Sequence, residues 1–351
     1  GVESTAAEFF MVLDADFVPQ SHLIHHLIAP FQDGSVGMVQ ARWDHLNESE
    51  NALTRAQALL LDGHFFFEQG GRYASERFFN FNGTAGMWRR ACLVDAGGWQ
   101  SDTLTEDLDL SYRAQMRGWQ FEFLGDVGVP AELPAHAPAL AVQQKRWAQG
   151  GIQTARKVLP DLLRGRWPLG VKLEATVHLL GHLAHPLTVL LALVLFPATL
   201  AREALGLGHW IWLDVALFTS ATAPFVLFYL SAARRRKRPW LASIVSVART
   251  LALGIGLSAP VTLAVLRGLT GRVDPFRRTP KVGGSISRDE VGATHSPAEE
   301  ISYRAKAGAA DRWLTLVMAA WSGGGVVAAV LLGLWGSLPF LLLFAAGYGW
   351  L

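Results

Sequence analysis

The sequence predicts an α/β domain over residues 1–170 followed by an α-helical membrane region over 171–351. Three observations lead there. Hydrophobic residues make up 51% of the chain and charged ones 17%, less charge than a soluble domain of this size usually carries. The apolar surplus is uneven: charged, apolar and turn residues alternate up to about residue 170, and long apolar blocks dominate beyond it. Within the first part, an apolar run of strand length (Phe9, Phe10, Met11, Val12, Leu13) stops at Asp14-Ala15-Asp16.

Such a run reads as a buried strand of a parallel sheet over residues 8–13. Pro19 then opens a helix, a second strand is expected at 36–40, and a long helix at 50–70. Ligand sites in open α/β sheets lie at the carboxyl ends of strands, which is where Asp14 and Asp16 fall. Two carboxylates two residues apart can reach one divalent cation and a diphosphate on the same side. Hard oxygen ligands suit Mg²⁺ or Mn²⁺, which share their coordination shell with phosphate oxygens. An acidic strand–turn junction is the plainer alternative, because Asp is common in turns.

A second acidic cluster is Thr105-Glu106-Asp107, with Gly118 closing the segment. Thr105 fits an N-cap, Glu106 and Asp107 suit the first turn of a helix, and Gly118 fits the C′ position. That accounts for the segment structurally. The functional alternative is a first-turn carboxylate aimed into a cleft, serving as general base for a sugar hydroxyl. The third motif is Gln143-Gln144-Lys145-Arg146-Trp147. An Arg beside a diphosphate is a bidentate partner for its oxygens, and a Trp can stack under a sugar ring. Both also anchor amphipathic helices at membrane surfaces, and the two readings are compatible.

Composition narrows the classes. The 31 basic and 29 acidic residues leave a formal charge of +2, and no basic stripe interleaved with aromatics points to nucleic acid. One cysteine, Cys92, excludes a disulfide framework or a cysteine-based zinc site and suits a reducing cytosol. The chain opens at Gly1 without Met and closes at Leu351 inside a short apolar run, so it is expected to be an internal fragment.

Taken in order, Asp14-Ala15-Asp16, Phe81-Asn82-Gly83-Thr84-Ala85-Gly86, Thr105-Glu106-Asp107 and Gln143-x-x-Arg146-Trp147, followed by apolar helices, resemble the processive family 2 glycosyltransferases. These include cellulose, mannan and hyaluronan synthases. Phe276-Arg277-Arg278-Thr279-Pro280-Lys281 looks like their gating loop, over residues 275–282. FNGTAGMWRR, LTEDLDLSYRA and Ala131–Pro134 look most like the plant mannan synthases and xyloglucan-backbone synthases and their bacterial relatives. The resemblance implies a GT-A-type (Rossmann-like) catalytic domain and a β-linked, β-1,4 polysaccharide built from UDP-glucose or GDP-mannose by inverting transfer. It implies that Asp14 and Asp16 hold the metal, Mg²⁺ or Mn²⁺, and with Gln40 and Arg146 bind the donor diphosphate. Asp107 would be the catalytic base with Glu106 tuning it. Trp147, Asn82, Gly83 and Thr84 would meet the acceptor, and Phe276, Thr279 and Lys281 would close over the nucleotide. The family carries an earlier aspartate motif and a base pocket ahead of the Asp-x-Asp strand. Neither precedes Glu8, so this chain alone is expected to be inactive.

In the second half, residues 179–200 and 209–230 are long enough to span, the latter with Trp210 and Trp212 as belt residues. With a cytosolic catalytic domain, Arg234-Arg235-Arg236-Lys237-Arg238 then falls inside, and the pentad reads as a topology signal more than a lipid site. A crossing by the apolar block 240–269 would put the gating loop outside, so parity makes this block an interface helix or a re-entrant hairpin. Residues 282–310 read as a cytosolic loop, 313–335 as a third span and 337–351 as the start of a fourth. His178, His182 and His185 share a helix face and read as a polar face at the membrane surface or along a polymer path rather than a metal site; His22, His25 and His26 read as a solvated face. The expected location is an inner or plasma membrane, and the expected partners are a nucleotide sugar, a polysaccharide acceptor and the bilayer. Sugar transfer to a lipid carrier and a non-catalytic membrane protein are the competing functions.

Overall fold

The computed structural model describes residues 2–207, 210–271, 279 and 308–350. Four strands, β1 (Phe9–Val12), β2 (Val36–His45), β3 (Gly86–Arg89) and β4 (Gln120–Ala131), form one sheet in the order β1-β3-β2-β4. β3 runs antiparallel to both β1 and β2, while β2 and β4 are parallel. The sheet is therefore mixed, which corrects the parallel expectation: β1, β2 and β4 share a direction and β3 opposes them. An apolar run reports burial, not strand direction. Nor is β1 fully buried; it is an outer strand of this sheet, and Met11 is 36% exposed.

Alternation along the strands divides the core in two. Met38 and Trp88 face Phe79, Phe81, Leu93, Leu110 and Phe121, whereas Val39 and Met87 face Leu23, Leu27 and Phe31. This is the period-two pattern of strands buried on both faces. Leu23 and Leu27 belong to α1 (Leu23–Ile28), which begins four residues after Pro19 and not at it. Residues 17 and 18 are instead drawn alongside β4: Phe17 bridges Ala131, and Val18 N–H bonds to Pro130 O at 2.9 Å. His22, His25 and His26 are exposed, as a solvated face requires.

The helix expected at 50–70 breaks into three pieces. Asn51 caps α2 (Ala52–Gly63), accepting from Leu53 and Thr54 while Thr54 caps back. A π turn follows at His64–Gln69, then α3 (Gly70–Ala74). After α4 (Arg90–Asp95) comes α5 (Glu106–Met116), behind which Gly118 takes φ +95°. Thr105 precedes α5 but does not cap it; its hydroxyl lies 3.2 Å from that of Thr154.

The remaining helices are α6 (Ala137–Arg164), α7 (Leu169–Leu180), α8 (Ala184–Ala204), α9 (Ile211–Arg235), α10 (Trp240–Thr270), α11 (Ala309–Leu331) and α12 (Leu338–Trp350). Among the described residues, four stretches are long and apolar enough to cross a membrane: Leu169–Ala204, Ile211–Arg235, Trp240–Thr270 and Ala309–Leu331. α10 is one uninterrupted helix, which removes the re-entrant hairpin. Its Leu253, Leu257, Val261 and Val265 pack on Ala56, Leu140, Ala148 and Ile152 of α2 and α6, and Ile255 and Ala259 pack on Ala192, Met318 and Phe344 of the apolar helices. α10 thus lies between the sheet-bearing part and the other apolar helices.

The basic pentad makes specific contacts within the fold. Arg236 and Arg238 both reach Asp62 of α2 at 2.7 Å, with His45 bonding the same carboxylate at 3.1 Å. Arg234 instead sits over the Trp240 ring, and Arg235 over Phe66.

Candidate active site

Strand pairing fixes where the site forms. Val12 and Gln40 both lie opposite Gly86, so residues 81–85, leading into β3, sit at the carboxyl end of β1 and alongside the middle of β2. Asp14 follows β1 at that edge, and its N–H bonds to Thr84 Oγ1 at 2.8 Å. Asp14 is exposed and Asp16 half-buried. Their positions put carboxylate oxygens, and no softer donor, at the strand end.

Gln40 behaves differently from its expected role. It is 0% exposed, takes the Asn82 N–H at 2.9 Å, and donates to Ala41 O and Thr84 O at 2.6 and 3.0 Å. Its amide shapes the loop, and no atom is presented to a donor here. The loop needs that support because Gly83 and Ala85 adopt φ of +80° and +57°, a region costly for residues with a Cβ.

α5 brings its first turn over this loop. Ser111 Oγ donates to Asp107 O at 2.6 Å and accepts from Phe81 N–H at 2.9 Å, tying helix to loop. A Cβ on Gly83 would lie 3.1 Å from Asp107 Oδ2, so the backbone passes directly against the carboxylate. Burial pushes the Asp107 carboxyl up to about 7, helped by Glu106 and opposed by the Leu108 N–H and Arg146. Although seated deep, Asp107 remains partly accessible.

α6 supplies the basic wall. Arg146 is held below its ordinary value by burial, against the pull of Glu106, Asp107 and Asp14, whose charges all reach it. Trp147 lies 6.4 Å from Trp43 of β2, which continues to Phe65 and Phe17. Close approach of α5 and α6 depends on Gly150, where a Cβ would come within 2.7 Å of Thr105 N and clash.

Asp14, Thr84, Gly83, Asp107, Glu106 and Arg146 therefore gather at one sheet edge. Of the gating-loop residues, Phe276 and Lys281 lie outside the described residues, and Thr279 is described as half-buried. The histidines of α7 and the following turn separate: His178 Nδ1 bonds Tyr112 OH at 2.8 Å, while His182 stacks on His185. Among the described residues no group of three metal-type side chains occurs. Sequence reasoning missed Asp62, Gln69 and the glycine pair Gly150-Gly151; the only hint at the last was two adjacent glycines inside a helical pattern.

One substitution tests the tight approach. Gly83→Ala is expected to cost about 1–2 kcal/mol from the left-handed backbone alone, with a larger relative loss of activity because the new methyl meets Asp107. Thermal unfolding and rate measured on the intact protein check both; equal activity with unchanged melting would refute it.

These features gather acidic and basic side chains at one end of an α/β sheet. The chain matches the glycosyl transferase family group 2 over residues 9–350 and belongs to that family. It is 36% identical over 209 residues to glucomannan 4-beta-mannosyltransferase 2 of Arabidopsis thaliana, covering 58% of this chain and 39% of that protein. Against glucomannan 4-beta-mannosyltransferase 1 of Oryza sativa subsp. japonica it is 32% identical over 297 residues, 80% of this chain and 52% of the relative. The chain thus spans about two fifths to half the length of these relatives. Among solved structures, a mannosyltransferase from Pyrobaculum calidifontis in complex with GDP-Man and Mn²⁺ is similar at a TM-score of 0.42 and 17% identity, over 76% of this chain and 64% of that one.

Proposed function

We propose that the intact protein is a membrane-bound inverting glycosyltransferase that extends a β-1,4-linked polysaccharide, with mannose from GDP-mannose as the first donor to test and UDP-glucose as the second. The observation that carries this reading is the Asp107 carboxylate held against Gly83, with the Arg146 charge facing both it and Asp14. Asp107 takes the proton from the acceptor hydroxyl, the hydroxyl oxygen attacks the anomeric carbon, and the bond to the nucleotide diphosphate breaks on the opposite side. One displacement inverts the anomeric centre. Arg146, half-buried, balances the charge that develops on the leaving group.

Asp14 and Asp16 would hold Mg²⁺ or Mn²⁺, whose charge offsets that of the diphosphate. An all-oxygen pair fits such an ion, since these cations complete their shell with phosphate oxygens and water. Trp147 offers a stacking face for the acceptor, with Asn82, Gly83 and Thr84 forming the floor beside it. Phe276, Thr279 and Lys281 close over the nucleotide. The sheet-bearing part, residues 1–170, faces the cytosol, and the multi-pass region 171–351 lies in the plasma or inner membrane with α10 along the interface. The packing of α10 on α2 and α6 along one face and on α8, α11 and α12 along another supports that placement.

The test is incorporation of radiolabelled GDP-mannose or UDP-glucose by the intact protein in membrane vesicles with Mn²⁺. Insoluble product cut by a β-1,4-mannanase is expected. A labelled lipid product, or no incorporation from either donor, would overturn the reading.

A further inference from the structure

The π turn His64–Gln69 has no part in the chemistry just described, yet it points at the site. A π turn bonds residues five apart and is found at functional positions more often than chance. Here Gly70 N–H reaches back to Phe65 O, and a Cβ on Gly70 would stand only 3.3 Å from that oxygen. In an α-helix, residues 64 and 69 would fall on different faces. The wider winding brings them to one face, and both meet Asn82. Gln69 Oε1 accepts from Asn82 Nδ2 at 2.8 Å, and His64 Nε2 lies 3.4 Å from Asn82 Oδ1. His64 is itself held by Glu68 at 2.8 Å.

The Asn82 N–H and both ends of its side-chain amide are thereby engaged. Gln40 takes its N–H, and Asn80 Nδ2 reaches its Oδ1 at 3.1 Å. Gln69 is 0% exposed, and its Nε2 has no hydrogen-bond partner among the described residues. A buried amide left half-satisfied destabilises a fold, and such groups in native structures call for an explanation beyond stability. Asn82 precedes Gly83, whose backbone lies against Asp107 Oδ2.

We propose that Gln69 and His64 are positioning residues: the π turn aims both at Asn82, and Asn82 holds Gly83 in place against the Asp107 carboxylate. This rests on the reading of Asp107 as the transfer base. It extends that reading by making the wide turn behind Asn82 responsible for the register of the acceptor floor.

The experiment uses the intact protein with Gln69→Met, which keeps volume but removes both polar atoms. Melting temperature is expected to change little, because the half-satisfied amide is gone but Asn82 Nδ2 loses its acceptor. kcat is expected to fall about ten- to a hundredfold, the effect of a small misplacement at a reacting centre, with donor KM within about twofold. The Gln69→Met, Asn82→Ala double variant should be no slower than Asn82→Ala alone, since one residue acts through the other. Amide hydrogen exchange at residues 82–85 should quicken while β2 is unchanged. Independent, multiplying losses in the double variant, or loop exchange as in wild type, would overturn the proposal. If wild type transfers no sugar, the proposed function fails, but the exchange measurement still decides whether Gln69 holds the loop.

Discussion

In the intact protein, Asp107→Asn is expected to lower kcat by about 10²–10⁴-fold, the range for removing a positioned general base, with little change in donor KM. The side chain keeps its shape and its place against Gly83, so what is lost is the proton acceptor. The pH dependence sharpens the test. Burial and the neighbouring Glu106 hold the Asp107 carboxyl near 7, so it is protonated and idle below that value. kcat/KM reports the free enzyme and should climb about tenfold per pH unit below 7, then level off. The stability consequence has the opposite sense. A carboxyl raised from 3.8 to about 7 binds its proton more tightly in the folded state, so its contribution is full below about pH 4 and is lost as pH rises through 7. Asp107→Asn should therefore melt higher than wild type at pH 8 and much like it at pH 4. A variant that keeps more than a tenth of wild-type rate, or a flat pH profile, would remove Asp107 from the role of base.

Asp62→Ala carries the largest expected effect on stability, about 3–5 kcal/mol, the usual result of stripping one partner from a buried ion cluster. Asp62 is 1% exposed and is met by Arg236, Arg238 and His45. Burial alone would raise its carboxyl, but the hydrogen bonds from His45 and Arg236 win and hold it below the ordinary value. With the carboxyl lowered, the cluster is intact above about pH 4 and is lost as pH falls further, so acid should loosen the end of α9 from α2. Arg236→Ala should follow Asp62→Ala closely. Arg234→Ala should cost far less, because that guanidinium sits on the Trp240 ring outside the cluster. Melting of the solubilised protein separates the two. Equal, small shifts for Arg234→Ala and Arg236→Ala would mean the pentad acts only through membrane orientation.

Much of the site could be read from residue order. Asp14, Asp16, Asp107 and Arg146 each sit in a short motif, and strand ends and helix first turns place such groups predictably. The direction of β1 was not legible, because Phe9–Val12 states only that the strand is apolar. Thr105 was placed correctly ahead of α5, but its hydroxyl turned to Thr154 because Gly150 lets α6 come so near. Gln40 was expected at the donor only through the family resemblance; the fold shows its amide bonded within the 81–85 loop. The π turn was hidden because apolar periodicity continues through Phe65, Phe66 and Phe67, and nothing local distinguishes five-residue winding from four. Asp62 was hidden for another reason. Its partners Arg236 and Arg238 are 174 and 176 positions away along the chain, and a lone Asp on a helix carries no motif.

Three glycines set the thickness of the partition between chemistry and the apolar helices. A Cβ on Gly150 would strike Thr105, one on Gly151 would strike His182, and one on Gly268 would strike Ile152 and Gln149 O. At these points the glycine backbone lies directly against the Thr105, His182 and Ile152 side chains, and at Gly150 and Gly268 against neighbouring backbone as well. Thr105 is two residues from Asp107. Packing beside Asp107 and packing against the apolar helices are thus joined at three points where nothing larger than a hydrogen fits.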